Sequence, residues 1–217
     1  MIKYVLFDLD GTLVDTSEGI LQSISMALNE LGVDNIDTEK MKCFIGPPLK
    51  TAFIEYCCMS PEQAAEATKV FRKFYNESGK YVCKLYDGIT ETLSMLKENG
   101  YVVAVATSKP TVFAVDILRF LHIDHYFDEI VGSNLDNTRS SKHEVIQYIL
   151  DKYQIQDLDQ VVMIGDKAQD LIGAETCGVH GIGVTYGFGS CEELSSVKSR
   201  VVLPMHNAVY NYIVNWK

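Results

Sequence analysis

Two aspartates separated by one residue follow a short apolar segment near the start of the chain. The segment Tyr4–Phe7 consists of apolar and aromatic residues and predicts a short buried strand, which turn residues after Leu9 end. Asp8 and Asp10 then share a face, because alternate side chains of an extended segment point the same way. Carboxylates at the end of a buried strand are costly unless something neutralises them. The pair is therefore either an acidic Asp-Gly turn, which is common, or a site for a divalent cation and phosphate chemistry.

Polar residues also follow other apolar segments of the chain. Thr107 and Ser108 come directly after the apolar segment 101–106, and Asp166 follows another buried strand pattern. Apolar strands that alternate with helices predict a parallel sheet covered on both faces. Ligands of such sheets bind beyond the carboxyl ends of the strands. We therefore expect these residues to lie with Asp8 along one edge of the sheet.

The elements that must position these residues fall into two groups. Residues 16–84 carry helix starts and apolar residues at helical spacing, including a short helix predicted over 38–44, and no convincing strand. From about residue 85 onwards, strand and helix patterns alternate. We therefore predict an α/β core with a Rossmann-like parallel sheet, formed by 1–15 and 85–217. The helical segment 16–84 is then an insertion after the first strand.

Composition and charge exclude several classes of protein. The chain has 217 residues, of which 47% are hydrophobic and 22% charged, as is ordinary for a globular protein. A formal net charge of -10 argues against a nucleic-acid partner, because binding to phosphate backbones needs a positive surface. No apolar run approaches the roughly 20 residues that span a bilayer, and no signal-peptide pattern is present. The six cysteines contain no Cys-x-x-Cys pair. We expect a cytoplasmic monomer or homodimer without membrane contact.

A lysine and a further acid extend the set of candidate residues. Lys142 stands at the start of a predicted helix, where a cation is unfavourable unless an anion lies beside it. Asp166 is followed by Asp170 near another helix start. Asp170 is either part of the site or a surface acid that the helix dipole favours.

Taken together, these residues resemble a known superfamily. This sequence contains residues that are similar, in chain order, to the four signature motifs of the haloacid dehalogenase superfamily: Asp8–Thr12, Thr107, Lys142, and Asp166 with Asp170. A helical insertion after the first motif resembles the cap of the phosphoglycolate-phosphatase-like branch. Ile45–Leu49 and Tyr186–Gly189 support that branch. One departure is His143–Val145, because the family usually has Pro-x-Pro after its lysine.

The resemblance implies a hydrolase that takes a phosphoryl group onto an aspartate. Asp8 would attack phosphorus, and Asp10 would protonate the leaving oxygen and later deprotonate the attacking water. Thr107 and the backbone N–H of Ser108 would hold the phosphoryl oxygens. Lys142 would neutralise charge shared between the nucleophile and the phosphoryl group.

The resemblance also implies a magnesium ion. Converging carboxylates repel one another, and oxygen ligands together with phosphate favour Mg²⁺ over zinc. Asp8 and Asp166 would coordinate through their carboxylates, and Asp10 through its backbone carbonyl. Asp170 would hold a metal-bound water. The predicted site is therefore acidic, with one lysine among its carboxylates.

The substrate is less closely defined than the reaction. The cap would close over the site, with Gly46 and Lys50 as candidate substrate contacts. We expect a small phosphorylated metabolite, with phosphoglycolate first and 5′-nucleotides, pyrophosphate or a sugar-phosphate mutase reaction as alternatives. Lys109 and Lys167 are alternatives to Lys142 for the lysine role.

Two functions outside this enzyme class remain as alternatives. A receiver-type signalling domain also uses an aspartate, a Thr or Ser, a lysine and Mg²⁺. Its phosphorylated aspartate ends the third strand, however, and a helical insertion of about 70 residues is not expected in so compact a domain. A binding protein on a degenerate core is the other possibility, although all four motifs retain chemically competent residues.

Overall fold

The protein consists of two compact units. Our computed structural model describes residues 1–33, 41, 43–45, 49–136, 138–197, 201–204 and 206–216. One unit comprises Met1–Asp15 with Leu85–Lys217, and the other comprises Thr16–Lys84. Gly46 and most of the helix predicted over 38–44 lie outside the described residues.

The described residues form eight strands. In chain order they are β1 Tyr4–Phe7, β2 Val14–Asp15, β3 Lys84–Leu85, β4 Val102–Pro110, β5 Glu129–Ser133, β6 Val161–Gly165, β7 His180–Val184 and β8 Val201–Leu203. Six of them make one sheet in the spatial order β5-β4-β1-β6-β7-β8. Every neighbouring pair in it is parallel. The predicted α/β fold with a parallel sheet is confirmed.

Helices connect the strands, and further helices make up the smaller unit. They are α1 Ser17–Glu30, α2 Leu49–Cys57, α3 Pro61–Glu77, α4 Ile89–Glu98, α5 Thr111–Phe120, α6 Lys142–Lys152, α7 Ala168–Cys177, α8 Cys191–Ser195 and α9 His206–Val214. None of the helices in the described part of the chain is long and apolar enough to cross a membrane.

Strand β1 lies in the middle of the sheet, between β4 and β6. Phe7 is level with Val105 on one side and with Ile164 on the other. The residues that follow these three strands therefore meet at one edge. The backbone N–H of Asp8 continues the pairing by donating to the carbonyl of Ile164 at 2.8 Å.

An apolar core fixes helix α6 against this sheet. Leu6 and Met163 project from adjacent strands and pack in one buried cluster with Val145 and Ile149 of α6. Burying each such side chain contributes about 1.5–3 kcal/mol. Because the core holds α6 in place, it also fixes the start of that helix, where Lys142 stands.

The smaller unit is helical over most of its described residues. Helices α1 and α2 each pack against α3. Helix α3 begins with a capping box: the N–H of Gln63 donates to the Ser60 hydroxyl at 3.2 Å, and the Ser60 N–H donates to the Gln63 side chain at 2.8 Å. Such a cap typically contributes about 1 kcal/mol and sets where the helix begins.

Candidate active site

Lys142, the first residue of α6, is a buried lysine with three acceptors. Its Nζ lies 2.8 Å from Oδ1 of Asp8, 2.8 Å from Oδ1 of Asp170 and 2.8 Å from the carbonyl oxygen of Ala106. Only 4% of the side chain is exposed. Burial lowers the pKa of Lys142, but the charges of Asp170 and Asp8 outweigh it and raise the pKa above its ordinary value. Lys142 therefore remains a cation that joins two carboxylates.

Three buried carboxylates form a cluster, and two of them contact this lysine. One oxygen from each of Asp8, Asp166 and Asp170 lies within 4.8 Å of the others. At that separation, like charges repel by about 3–4 kcal/mol per pair if the effective dielectric constant is ~20. Burial, aided by Asp170 and Asp8, raises the pKa of Asp166 to about 7. Burial also raises the pKa of Asp170, although Lys142 opposes it. The cluster is therefore able to hold a cation.

Asp166 is fixed by hydrogen bonds from separate parts of the chain. Its Oδ1 accepts from the Thr12 hydroxyl at 3.1 Å, and its Oδ2 accepts from the N–H groups of Phe188 and Gly189 at 2.7 and 3.2 Å. Gly11, with a φ of +82°, lies so close that a Cβ there would meet Oδ2 of Asp166 at 2.3 Å. Only glycine fits this position, because a side chain would displace the carboxylate.

Asp8 and Asp10 form ion pairs with different lysines. The Nζ of Lys109, at the end of β4, lies 3.0 Å from Oδ2 of Asp10, and 8% of the Lys109 side chain is exposed. Lys167 instead contacts Glu193, at 3.6 Å. Of the three lysines considered from sequence, Lys142 therefore contacts Asp8 and Lys109 contacts Asp10.

The remaining candidates are placed as follows. Thr107 is buried at the sheet edge, and its Oγ1 accepts from the N–H of Lys109 at 3.2 Å. Ser108 is exposed, as is Lys50 of α2 in the smaller unit. Gly46 lies outside the described residues. The roles of all four in substrate binding stay predictions.

Several contacts in this site could not be predicted from sequence patterns. The hydrogen bonds of Thr12 and Phe188 to Asp166, and the ion pair of Lys109 with Asp10, join residues far apart in the chain. Thr12 belongs to the first motif and Phe188 to the late glycine-rich motif, so both residues could be identified from the sequence. Their hydrogen-bond partners could not, because a sequence motif does not indicate which distant residue it contacts.

Comparison with known proteins identifies the family. Residues 5–184 match the family described as haloacid dehalogenase-like hydrolase. A 5′-nucleotidase from Pseudomonas aeruginosa is 44% identical over 190 residues, which cover 88% of this chain and 86% of that protein. A phosphoglycolate phosphatase from Vibrio cholerae is 26% identical over 205 residues, covering 91% and 90%. The crystal structure of a predicted phosphatase from Clostridium acetobutylicum has a TM-score of 0.91 and 42% identity, and 99% of each chain is covered.

These matches confirm the resemblance inferred from the four motifs. The family match extends from strand β1, which precedes Asp8, to the end of β7. It therefore includes every residue of the carboxylate cluster and both lysines that contact its acids. The chain belongs to the haloacid dehalogenase-like hydrolase family.

Proposed function

We propose that the protein is a Mg²⁺-dependent phosphomonoesterase that forms a phosphoryl intermediate on Asp8. One observation carries the proposal: the Asp8 carboxylate is held by the buried cation of Lys142 within a cluster that also contains Asp166 and Asp170. Family membership supports hydrolysis, and the phosphatase and nucleotidase names of the relatives support a phosphate ester as substrate.

The donor set of the cluster fits a magnesium ion. Three carboxylates carry three negative charges, and the ammonium of Lys142 removes one, so that a divalent cation would balance the remainder. Hard oxygen donors favour Mg²⁺. Asp8 and Asp166 would hold it through carboxylates and Asp10 through its carbonyl, whereas Asp170, already bound to Lys142 and to the Lys167 N–H, would hold a metal-bound water. When bound, the ion would supply positive charge against the phosphoryl oxygens.

The proposed reaction then proceeds in two displacements at phosphorus. A carboxylate oxygen of Asp8 forms a bond to phosphorus while the bond from phosphorus to the leaving oxygen breaks, and Asp10 gives that oxygen a proton. Asp10 next takes a proton from water, the water oxygen bonds to phosphorus, and the bond to Asp8 breaks. Phosphate leaves and both aspartates are restored. Lys142 keeps Asp8 in place through both steps, and Lys109 does the same for Asp10.

The substrate is selected by groups outside this cluster. The cation held by the cluster would bind the phosphoryl group, which all candidate substrates share. A nucleoside 5′-monophosphate is a specific second candidate beside phosphoglycolate, because the relative named 5′-nucleotidase is 44% identical and the one named phosphoglycolate phosphatase is 26% identical. We propose that Thr16–Lys84 acts as a cap that chooses between them, with exposed Lys50 as one candidate contact.

A substrate panel with and without metal tests the proposed function. We expect hydrolysis of at least one ester among phosphoglycolate, nucleoside 5′-monophosphates and sugar phosphates in Mg²⁺. EDTA should abolish the activity, and excess Mg²⁺ should restore it. Ranking by kcat/KM identifies the substrate class, and pyrophosphate and mutase products are measured in parallel. Lasting phosphorylation by acetyl phosphate, with no turnover of any ester, would instead support a receiver-like role.

The effect of Mg²⁺ on stability should depend on pH. Because the pKa of Asp166 is raised from 3.8 to about 7, the contribution of Asp166 to the stability of the metal-free fold falls as pH rises between these values. Magnesium requires the ionised carboxylates and relieves their repulsion. We therefore expect the increase in Tm caused by Mg²⁺ to be larger at about pH 8 than at about pH 5. Thermal melts in EDTA and in Mg²⁺ measure this, and an equal increase at both pH values would contradict it.

A further inference from the structure

A glycine-rich loop follows strand β7 and lies against Asp166. We define the glycine loop as residues 185–190. Two of its backbone N–H groups, those of Phe188 and Gly189, donate to Oδ2 of Asp166 at 2.7 and 3.2 Å. Backbone donors have no rotamers, so they hold this oxygen in one position as long as the loop itself stays in place.

Tyr186 ties the glycine loop to the loop that carries the first motif. Its hydroxyl donates to the carbonyl oxygen of Thr12 at 3.0 Å. The Thr12 hydroxyl in turn donates to Oδ1 of Asp166 at 3.1 Å. The Tyr186 ring also contacts Tyr86, with ring centroids 5.0 Å apart. One hydroxyl therefore connects the residues that fix the two oxygens of Asp166.

The glycines of the loop allow it to approach this closely. A Cβ at Gly187 would lie 2.1 Å from the carbonyl oxygen of Gly11 and 2.5 Å from Cβ of Asp166. A Cβ at Gly189 would lie 1.7 Å from the carbonyl oxygen of Asp166. These distances are too short for any side chain, so the loop packs backbone to backbone against the site.

We propose that Tyr186 is a positioning residue for the metal site. By tying the glycine loop to Thr12, it keeps Asp166 in the orientation that binds the cation. This inference rests on the proposed magnesium site at Asp8 and Asp166. Tyr186 acts through Thr12 and Asp166, so its loss should weaken metal binding more than it slows the reaction at saturating metal.

Titration with Mn²⁺ in the absence of substrate tests the inference directly. Mn²⁺ accepts oxygen ligands as Mg²⁺ does, and its electron paramagnetic resonance signal reports the free ion. We expect Tyr186→Phe to raise the Kd for Mn²⁺ about tenfold relative to the wild-type chain. The Mg²⁺ concentration for half-maximal activity should rise in the same proportion, and kcat at saturating Mg²⁺ should change by less than about twofold.

Tyr86→Phe is the matched control, because it removes the hydroxyl of the other ring in the pair. It should leave the Kd unchanged. If Tyr186→Phe fails to fold in EDTA, Thr12→Val and Thr12→Ser replace it: the valine should weaken Mn²⁺ binding, and the serine, which keeps the donor, should not. If the wild type and Tyr186→Phe bind Mn²⁺ with equal affinity, or if Thr12→Val and Thr12→Ser do, the positioning role of Tyr186 is overturned. The proposed metal site is unaffected by that result. Absence of Mn²⁺ binding by the wild-type chain would overturn the metal site, and this inference with it.

Discussion

Asp8→Asn should reduce kcat by about 10⁴-fold or more while leaving the fold intact. The amide has nearly the shape of the carboxylate and can still accept a hydrogen bond from Lys142, but it is not a nucleophile toward phosphorus. The substitution removes the repulsion from Asp166 and Asp170 together with the attraction to Lys142, which keeps Asp170 as a partner, so the protein in EDTA should melt close to the wild type. Steady-state turnover and thermal melts measure the two effects, and the magnitude follows from the loss of a covalent nucleophile in other enzymes.

Trapping of the intermediate makes this experiment specific to Asp8. Acid quench of the wild-type chain during turnover should give a phosphoryl group on the peptide that contains Asp8, and the asparagine variant should give none. Asp159→Asn is the matched control, since that side chain is 87% exposed, and it should retain full activity. Undiminished hydrolysis by Asp8→Asn would refute the covalent mechanism.

Lys142→Met should damage both catalysis and stability. Methionine fills much of the same space but leaves Asp8 and Asp170 without their shared cation. Removing one member of a buried ion pair typically costs about 3–5 kcal/mol, and we expect that loss in the free energy of unfolding in EDTA. Loss of a preorganised charge at the reacting group should lower kcat about 10²–10³-fold. Denaturant unfolding and steady-state kinetics measure the two quantities.

Lys152→Met is the matched control on the same helix. Lys152 pairs with Glu129 and is 46% exposed, so its loss should cost less than about 1 kcal/mol and leave kcat unchanged. Lys142→Arg should not rescue the enzyme, because the larger guanidinium does not fit three acceptors arranged around one nitrogen atom. Near-normal turnover by Lys142→Met would remove this residue from the mechanism.

The sequence predicted the elements that carry strong local signals. The bounds predicted for β1, Tyr4–Phe7, match the structure, because a continuous apolar run marks the strand. Strand β4 extends to Pro110, beyond its predicted end at Ala106, and its pairing with β5 is irregular over the added residues. The two-residue strand Lys84–Leu85 was missed, since so short a segment leaves no periodic pattern.

The candidate site could be predicted as a set of residues but not as a set of contacts. The acids and Lys142 were found because each follows a strand or begins a helix, and parallel topology brings those points to one edge. The assignment of Lys109 to Asp10 could not be derived in this way. Two lysines lie at the same edge, and their side-chain reach and packing decide which carboxylate each one contacts.

The central place of β1 in the sheet also affects how the protein gains activity during synthesis. Asp8 is synthesised before its partners, which lie on α6, β6 and α7, much later in the chain. Such long-range pairing is slow to form, and an incomplete chain exposes unpaired strand edges. A nascent chain that stops before Asp170 lacks part of the carboxylate cluster. Recovery of catalysis on refolding would therefore report completion of the whole α/β unit rather than of its first segments.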